Sequence, residues 1–150
     1  MKYKAIIFDL DGVICNTDQF RYLAWKHLAD RKGVYFDRKI YNRLHGKSRM
    51  NSLEIFLEKW QGDPLTQEEK EQLAEEMNAI YKELLLDMSE KDLSKEVKDT
   101  LDHLRKRGFY LAIGSSSKNA RLILERIGLY NYFDAISDGN NISKPEPDPE

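Results

Sequence analysis

Apolar and polar positions change their period several times along the chain, and each change marks an element. Residues 3–8, Tyr-Lys-Ala-Ile-Ile-Phe, form a short β-branched and aromatic run that stops at Asp9-Leu10-Asp11-Gly12; it reads as a buried strand ending in a loop. From Asp18 to Lys32 the apolar residues Phe20, Leu23, Ala24, Leu28 and Ala29 recur at helical spacing, with Gly33 as the stop. Further helical patterns cover about Asp37–Leu44 and Ser48–Trp60. Thr66-Gln67-Glu68-Glu69 is a capping box opening a long helix toward Leu86. Leu93, Val97, Leu101 and Leu104 describe another amphipathic helix, closed by basic residues and Gly108. Phe109–Ile113 reads as a second strand, Asn119–Ile127 as a helix stopped by Gly128, and Phe133–Ile136 as a third strand followed by a polar loop.

Strand, helix, strand, helix, strand is the grammar of a parallel α/β sheet with right-handed crossovers. The first crossover holds far more helix than a connection needs, so the economical reading is an inserted helical domain. Residues 16–90 are assigned to that insertion, and 1–15 with 91–150 to a Rossmann-like α/β core. Two chain crossings make a hinge for closure over a ligand at the carboxyl ends of the strands.

Composition narrows the chemistry. The chain has 150 residues, 41% hydrophobic and 33% charged, enough apolar content to bury a core. With 24 basic and 26 acidic side chains the net charge is -2, and no basic stripe with interleaved aromatics occurs, so neither nucleic acid nor a membrane is expected as a partner. One cysteine, Cys15, and no signal-like opening point to a reducing cytoplasm.

Three segments carry candidate chemistry. Asp9 and Asp11, two apart at the end of a strand, can share one crevice while Leu10 points back to the core. Their mutual repulsion calls for a cation or a shared proton, and hard oxygen donors suit magnesium. One aspartate can attack phosphorus while its neighbour moves a proton; a turn-and-cap pair is the plain alternative. Gly114-Ser115-Ser116-Ser117-Lys118-Asn119 puts hydroxyls, amides and a cation after the second strand, although serines there are more often simple caps. Lys144 follows the third strand, where a solvated lysine is the commoner case. All three segments fall at the ends of successive parallel strands, hence on one rim.

Phe8-Asp9-Leu10-Asp11-Gly12-Val13, with Ser115 and Lys144-Pro145, resembles the three motifs of the haloacid dehalogenase superfamily. Within it, Ala24-Trp25-Lys26, Gly46-Lys47-Ser48-Arg49, Ser52-Leu53 and Ser115-Ser116-Ser117-Lys118-Asn119 resemble the β-phosphoglucomutases. The resemblance implies a haloacid-dehalogenase-like core with a helical cap, Asp9 as phosphoryl-accepting nucleophile and Asp11 as general acid/base, both at a Mg2+ site. It implies Ser115 and Lys144 on the transferring phosphate, and Gly46, Lys47, Arg49, Ser117, Lys118 and Asn119 on the sugar phosphate, with Thr17 at the hinge. The implied reaction interconverts β-glucose 1-phosphate and glucose 6-phosphate through β-glucose 1,6-bisphosphate, in a protein that is a monomer when complete. A sugar-phosphate phosphatase and a non-catalytic fragment are the alternatives. Arg21, His45 and Met77 stand where the mutases usually carry a histidine, a lysine and a basic residue. The family also continues past Lys144-Pro145 with helices, two strands and an acidic motif, so this chain is expected to lack part of the core and to leave its first strand at a sheet edge.

Overall fold

A computed structural model describes residues 4–140. The chain divides into two compact units, one built from the residues up to Thr17 and from Leu85 onward, the other from Asp18–Leu84. These boundaries fall two and six residues from the 15/16 and 90/91 divisions expected from sequence.

In the first unit three parallel strands, β1 (Ala5–Phe8), β2 (Tyr110–Gly114) and β3 (Ala135–Ser137), lie in the order β1-β2-β3. Ile6 sits opposite Leu111 and Phe8 opposite Ile113, while Ile113 faces Ile136. Two helices follow the same grammar: α5 (Lys95–Lys106) precedes β2, and α6 (Ala120–Arg126) joins β2 to β3. Leu101, Leu111, Ile113, Ile123 and Leu124 are buried together with Leu10, Ile14 and Met88 as its apolar interior. β1 departs from the expected buried strand. Among the described residues it pairs only with β2, and Ile7 is 73% exposed.

β3 begins two residues later than its apolar run suggests. The amide and the carboxylate of Asp134 both engage Leu111: Asp134 N donates to Leu111 O at 2.7 Å, and Leu111 N donates to Asp134 Oδ2 at 2.8 Å. A side chain thereby takes the place of a ladder partner, and the regular strand starts after it.

The second unit is helical: α1 (Asp18–Lys32), α2 (Arg38–Asn42), α3 (Arg49–Phe56) and α4 (Gln67–Leu85), with a 3-10 turn at Leu57–Lys59. Its centre is aromatic. Trp25 and Phe36 pack against Phe56 with ring centroids 5.2 and 5.7 Å away, and Tyr41 is buried beside them. α1 and α4 run antiparallel, since Arg21 lies over the Tyr81 ring while Arg31 reaches Glu76. The capping box at Thr66 is formed in both directions, each hydrogen bond 3.1 Å long. No helix of the described residues is long and apolar enough to cross a membrane.

Candidate active site

The apolar run of β1 ends at Phe8, and the next three residues alternate sharply in environment. Asp9 is exposed, Leu10 is 0% exposed and Asp11 is half-buried. Burying Leu10 turns its two neighbours away from the apolar interior. The Leu10 carbonyl then gathers the amides of Val13, Ile14 and Cys15 at 3.3, 2.9 and 3.3 Å, while Gly12 N donates to Cys15 O at 2.8 Å. That tight turn needs a residue in the left-handed region, and Gly12 has φ +79°.

Each carboxylate has a local partner. Asp9 Oδ1 accepts the Leu10 amide at 2.8 Å, and Asp11 Oδ1 accepts the hydroxyl of Thr17, which is 1% exposed. Thr17 is the last residue before the helical unit, so the expected hinge residue is bonded to the expected acid/base. Cys15, paired by a bridge to Asp11, is held as a thiol. Burial, reinforced by the charges of Asp11 and Asp92, pushes it up to about 12.

β2 brings up the second segment. Register places Phe8 against Ile113 and Gly114 against Ser137, so Asp9 and Ser115 leave the carboxyl ends of adjacent parallel strands, whose spacing is about 4.8 Å. Ser115 is buried, its amide donates to Ser137 O at 2.9 Å, and its Oγ accepts the Ser117 amide at 3.1 Å. Ser117 Oγ accepts the Asn119 amide in the same way, at 3.1 Å. The serines therefore fold a loop out of two successive side-chain turns instead of capping a helix. α6 starts only at Ala120, is seven residues long, and has Asn119 at its N-cap without a side-chain cap bond. Lys118 is exposed and Asn119 buried.

The remaining candidates belong to the other unit or fall outside the described residues. Gly46, Lys47 and Arg49 belong to the helical unit. Gly46, at φ +75°, makes the turn in which Lys47 N donates to Leu44 O at 3.1 Å, and Arg49 opens α3 behind the N-cap Ser48. Beside that turn His45 Nε2 is 3.4 Å from Asp18 Oδ1, which also accepts the Tyr41 hydroxyl at 2.7 Å. Lys144 lies outside the described residues.

Sequence reasoning missed the residues behind the serine loop. Asp138, at the carboxyl end of β3, is 1% exposed and paired with Arg121 of α6. Its signal in the sequence is the turn-forming Asp138-Gly139-Asn140 directly after a strand, a polar stretch in which the pattern of apolar residues specifies no element.

The described residues contain no group of three or more His, Cys, Asp or Glu side chains placed to hold a metal ion. The two carboxylates of the first loop are nevertheless an all-oxygen, anionic set. Magnesium is commonly held by one or two carboxylates, with water and substrate phosphate completing its shell, and Asp9 and Asp11 fit that pattern.

The sequence profile described as haloacid dehalogenase-like hydrolase matches residues 6–150. Beta-phosphoglucomutase of Bacillus subtilis (strain 168) is 38% identical over 148 residues, which cover 98% of this chain and 66% of that protein. The phosphorylated carbohydrates phosphatase of Thermotoga maritima is 26% identical over 149 residues, again 98% and 66%. Among solved structures, beta-phosphoglucomutase from Clostridium difficile superimposes with a TM-score of 0.82 at 34% identity, covering 97% of this chain and 66% of that one. The chain thus spans just under two thirds of the length of these relatives.

Proposed function

The chain belongs to the haloacid dehalogenase-like hydrolases and has their α/β fold, and from that premise we propose that Asp9 takes a phosphoryl group from a sugar phosphate. The observation that carries the proposal is the pairing of β1 with β2, which sets Asp9 and the Ser115 loop at neighbouring strand ends.

In this reading the Asp9 carboxylate attacks phosphorus, the bond from phosphorus to the sugar oxygen breaks, and Asp11 gives that oxygen its proton. The reverse proton transfer then readies an incoming hydroxyl, whose attack frees Asp9. Thr17, bonded to Asp11, fixes the direction from which the proton is delivered. The Ser115 hydroxyl and the Lys144 ammonium hold the transferring phosphate, their partial and full positive charges matching its equatorial oxygens. Magnesium would be held by the Asp9 carboxylate and the backbone carbonyl of Asp11, leaving the Asp11 carboxyl group free for proton transfer, and would supply charge neutralisation at the phosphate. Backbone contacts of Gly46 and Lys47 to the sugar, and the roles of Arg49, Ser117, Lys118 and Asn119 in orienting the sugar phosphate through its distal phosphate, rest on the sequence resemblance.

The identity of the incoming hydroxyl separates a mutase from a phosphatase. The 38% identity to a beta-phosphoglucomutase and the Gly46-Lys47-Ser48-Arg49 segment favour a sugar monophosphate as acceptor: phospho-Asp9 passes its phosphoryl group to β-glucose 1-phosphate to form the 1,6-bisphosphate, and the return of the other phosphoryl group to Asp9 releases glucose 6-phosphate. The phosphatase reading, with water as acceptor, is favoured by the similarity to the Thermotoga enzyme. Incubation with β-glucose 1-phosphate, Mg2+ and a bisphosphate primer is expected to yield glucose 6-phosphate; inorganic phosphate without it selects the phosphatase. Asp9→Asn should abolish both products, and phosphorylation of that variant would refute the nucleophile.

A further inference from the structure

Phosphoryl transfer by Asp9 leaves unexplained why a charged pair and a glycine are packed behind the serine loop. Asp138 Oδ2 receives Arg121 Nε at 3.1 Å, and its Oδ1 accepts the Asn140 amide at 2.9 Å. A second guanidinium nitrogen of Arg121 donates to Ile136 O of β3 at 3.2 Å, so α6 and the end of β3 are tied together around a nearly inaccessible carboxylate. The turn fixed in this way leans on the serine loop. Gly139 N donates to Ser117 O at 2.9 Å, and Asn140 Nδ2 donates to Lys118 O at 3.1 Å.

Gly139 has no room for a side chain. A Cβ there would lie against Ser116 O at a separation real Cβ atoms do not reach, and 2.8 Å from Lys118 N. Its φ is outside the left-handed region, unlike those of Gly12, Gly46 and Gly128, so glycine is required here for space and not for backbone conformation. Ser117, which Gly139 holds by its carbonyl, donates its own amide to Ser115 Oγ. An oxygen that accepts an amide hydrogen must aim its own hydrogen elsewhere, so the contact relay ends on the direction of the Ser115 hydroxyl.

We infer that Arg121, Asp138 and Gly139 are positioning residues that hold the Ser115–Asn119 loop in its phosphate-binding shape from behind. The inference rests on the proposed phosphoryl-transfer reading for its purpose, but not for its geometry. Three variants of the whole chain test it: Gly139→Ala pushes the loop directly, Asp138→Asn removes the buried charge, and Arg121→Met removes its partner. Each is expected to lower kcat/KM for sugar-phosphate turnover by about tenfold or more, since a charge-assisted hydrogen bond or a sub-ångström displacement is worth that much. Inorganic phosphate should lose inhibitory potency by a similar factor, while a phosphate-free sugar competitor is unaffected. Amide exchange should quicken about tenfold at Ser117 and Gly139 and stay unchanged in α1 and α4. The double variant Arg121→Met/Asp138→Asn should be no worse than the poorer single one.

Unchanged exchange in the loop with unchanged phosphate inhibition overturns the inference, as does a loss of phosphate and sugar affinity in equal measure. A wild-type chain that transfers no phosphoryl group sinks the proposed function alone. Exchange at Ser117 and Gly139 in the three variants then still decides whether the loop is held from behind.

Discussion

Leu10 is the test of how the fold presents its carboxylates. It is fully buried between Asp9 and Asp11, and its carbonyl is the acceptor on which the Val13–Cys15 amides turn. Leu10→Ala deletes buried carbon from a site that backbone bonds keep from collapsing. The expected cost lies in the range of about 2–5 kcal/mol seen for such truncations, and near 3 kcal/mol it would lower Tm by about 6–12 °C in a chain of this size. Urea and thermal unfolding followed by circular dichroism measure it. Activity should fall further than stability accounts for: assayed well below the new Tm, kcat/KM should drop about 100-fold if Asp9 and Asp11 move by about 1 Å. Leu10→Met, of similar volume, should stay within about 1.5 kcal/mol and keep its activity. A Leu10→Ala protein that loses under about 1 kcal/mol, or transfers phosphate at the wild-type rate, refutes the idea that burial of this one side chain aims the site.

Asp134 should govern part of the acid limb. The Leu111 amide first, and then the charge of Arg105, hold its carboxyl below the usual carboxylate range. A group depressed in the folded state stabilises at pH values above its unfolded pKa of about 3.9 and loses that contribution as pH falls through the folded value. Wild type should therefore be more stable than Asp134→Asn near neutrality, with the two urea midpoints converging below about pH 4; a constant gap would show the charge to be irrelevant. Thr66→Ala breaks the capping box of α4 and should cost about 1 kcal/mol, read from the urea midpoint, whereas Thr66→Ser should cost a few tenths.

Much of the architecture is legible because the chain states it locally. The apolar spacing from Phe20 to Ala29 and the stop at Gly33 place α1 at Asp18–Lys32, and the Thr66–Glu69 box announces α4 from four residues. Strand ends were legible for the same reason, since apolar runs give way abruptly to Asp9 and to Ser115. What sequence left hidden depends on distant partners. The delayed start of β3 follows from Asp134 bonding Leu111, more than twenty residues away. The serines after β2 looked like caps because capping is their commonest use, yet here they bond forward within the loop while Gly139 presses from another segment. Arg121 reads as one more surface cation on a helix until Asp138 is seen beneath it.

The pairing of Ala5 with Tyr110 also has a consequence in time. A ribosome releases β1 first and must then add the whole helical unit before a sheet partner exists. Within that unit the antiparallel α1 and α4 bring the chain back near its point of departure, as the stacking of Arg21 on Tyr81 records. Once it has condensed, the loop that β1 and β2 must close shrinks to roughly a third of its contour, a saving of about 1 kcal/mol in closure entropy. The helices thus act as a built-in splint for the sheet, and deletions that loosen the α1–α4 seam should slow refolding of the strands more than they lower their final stability.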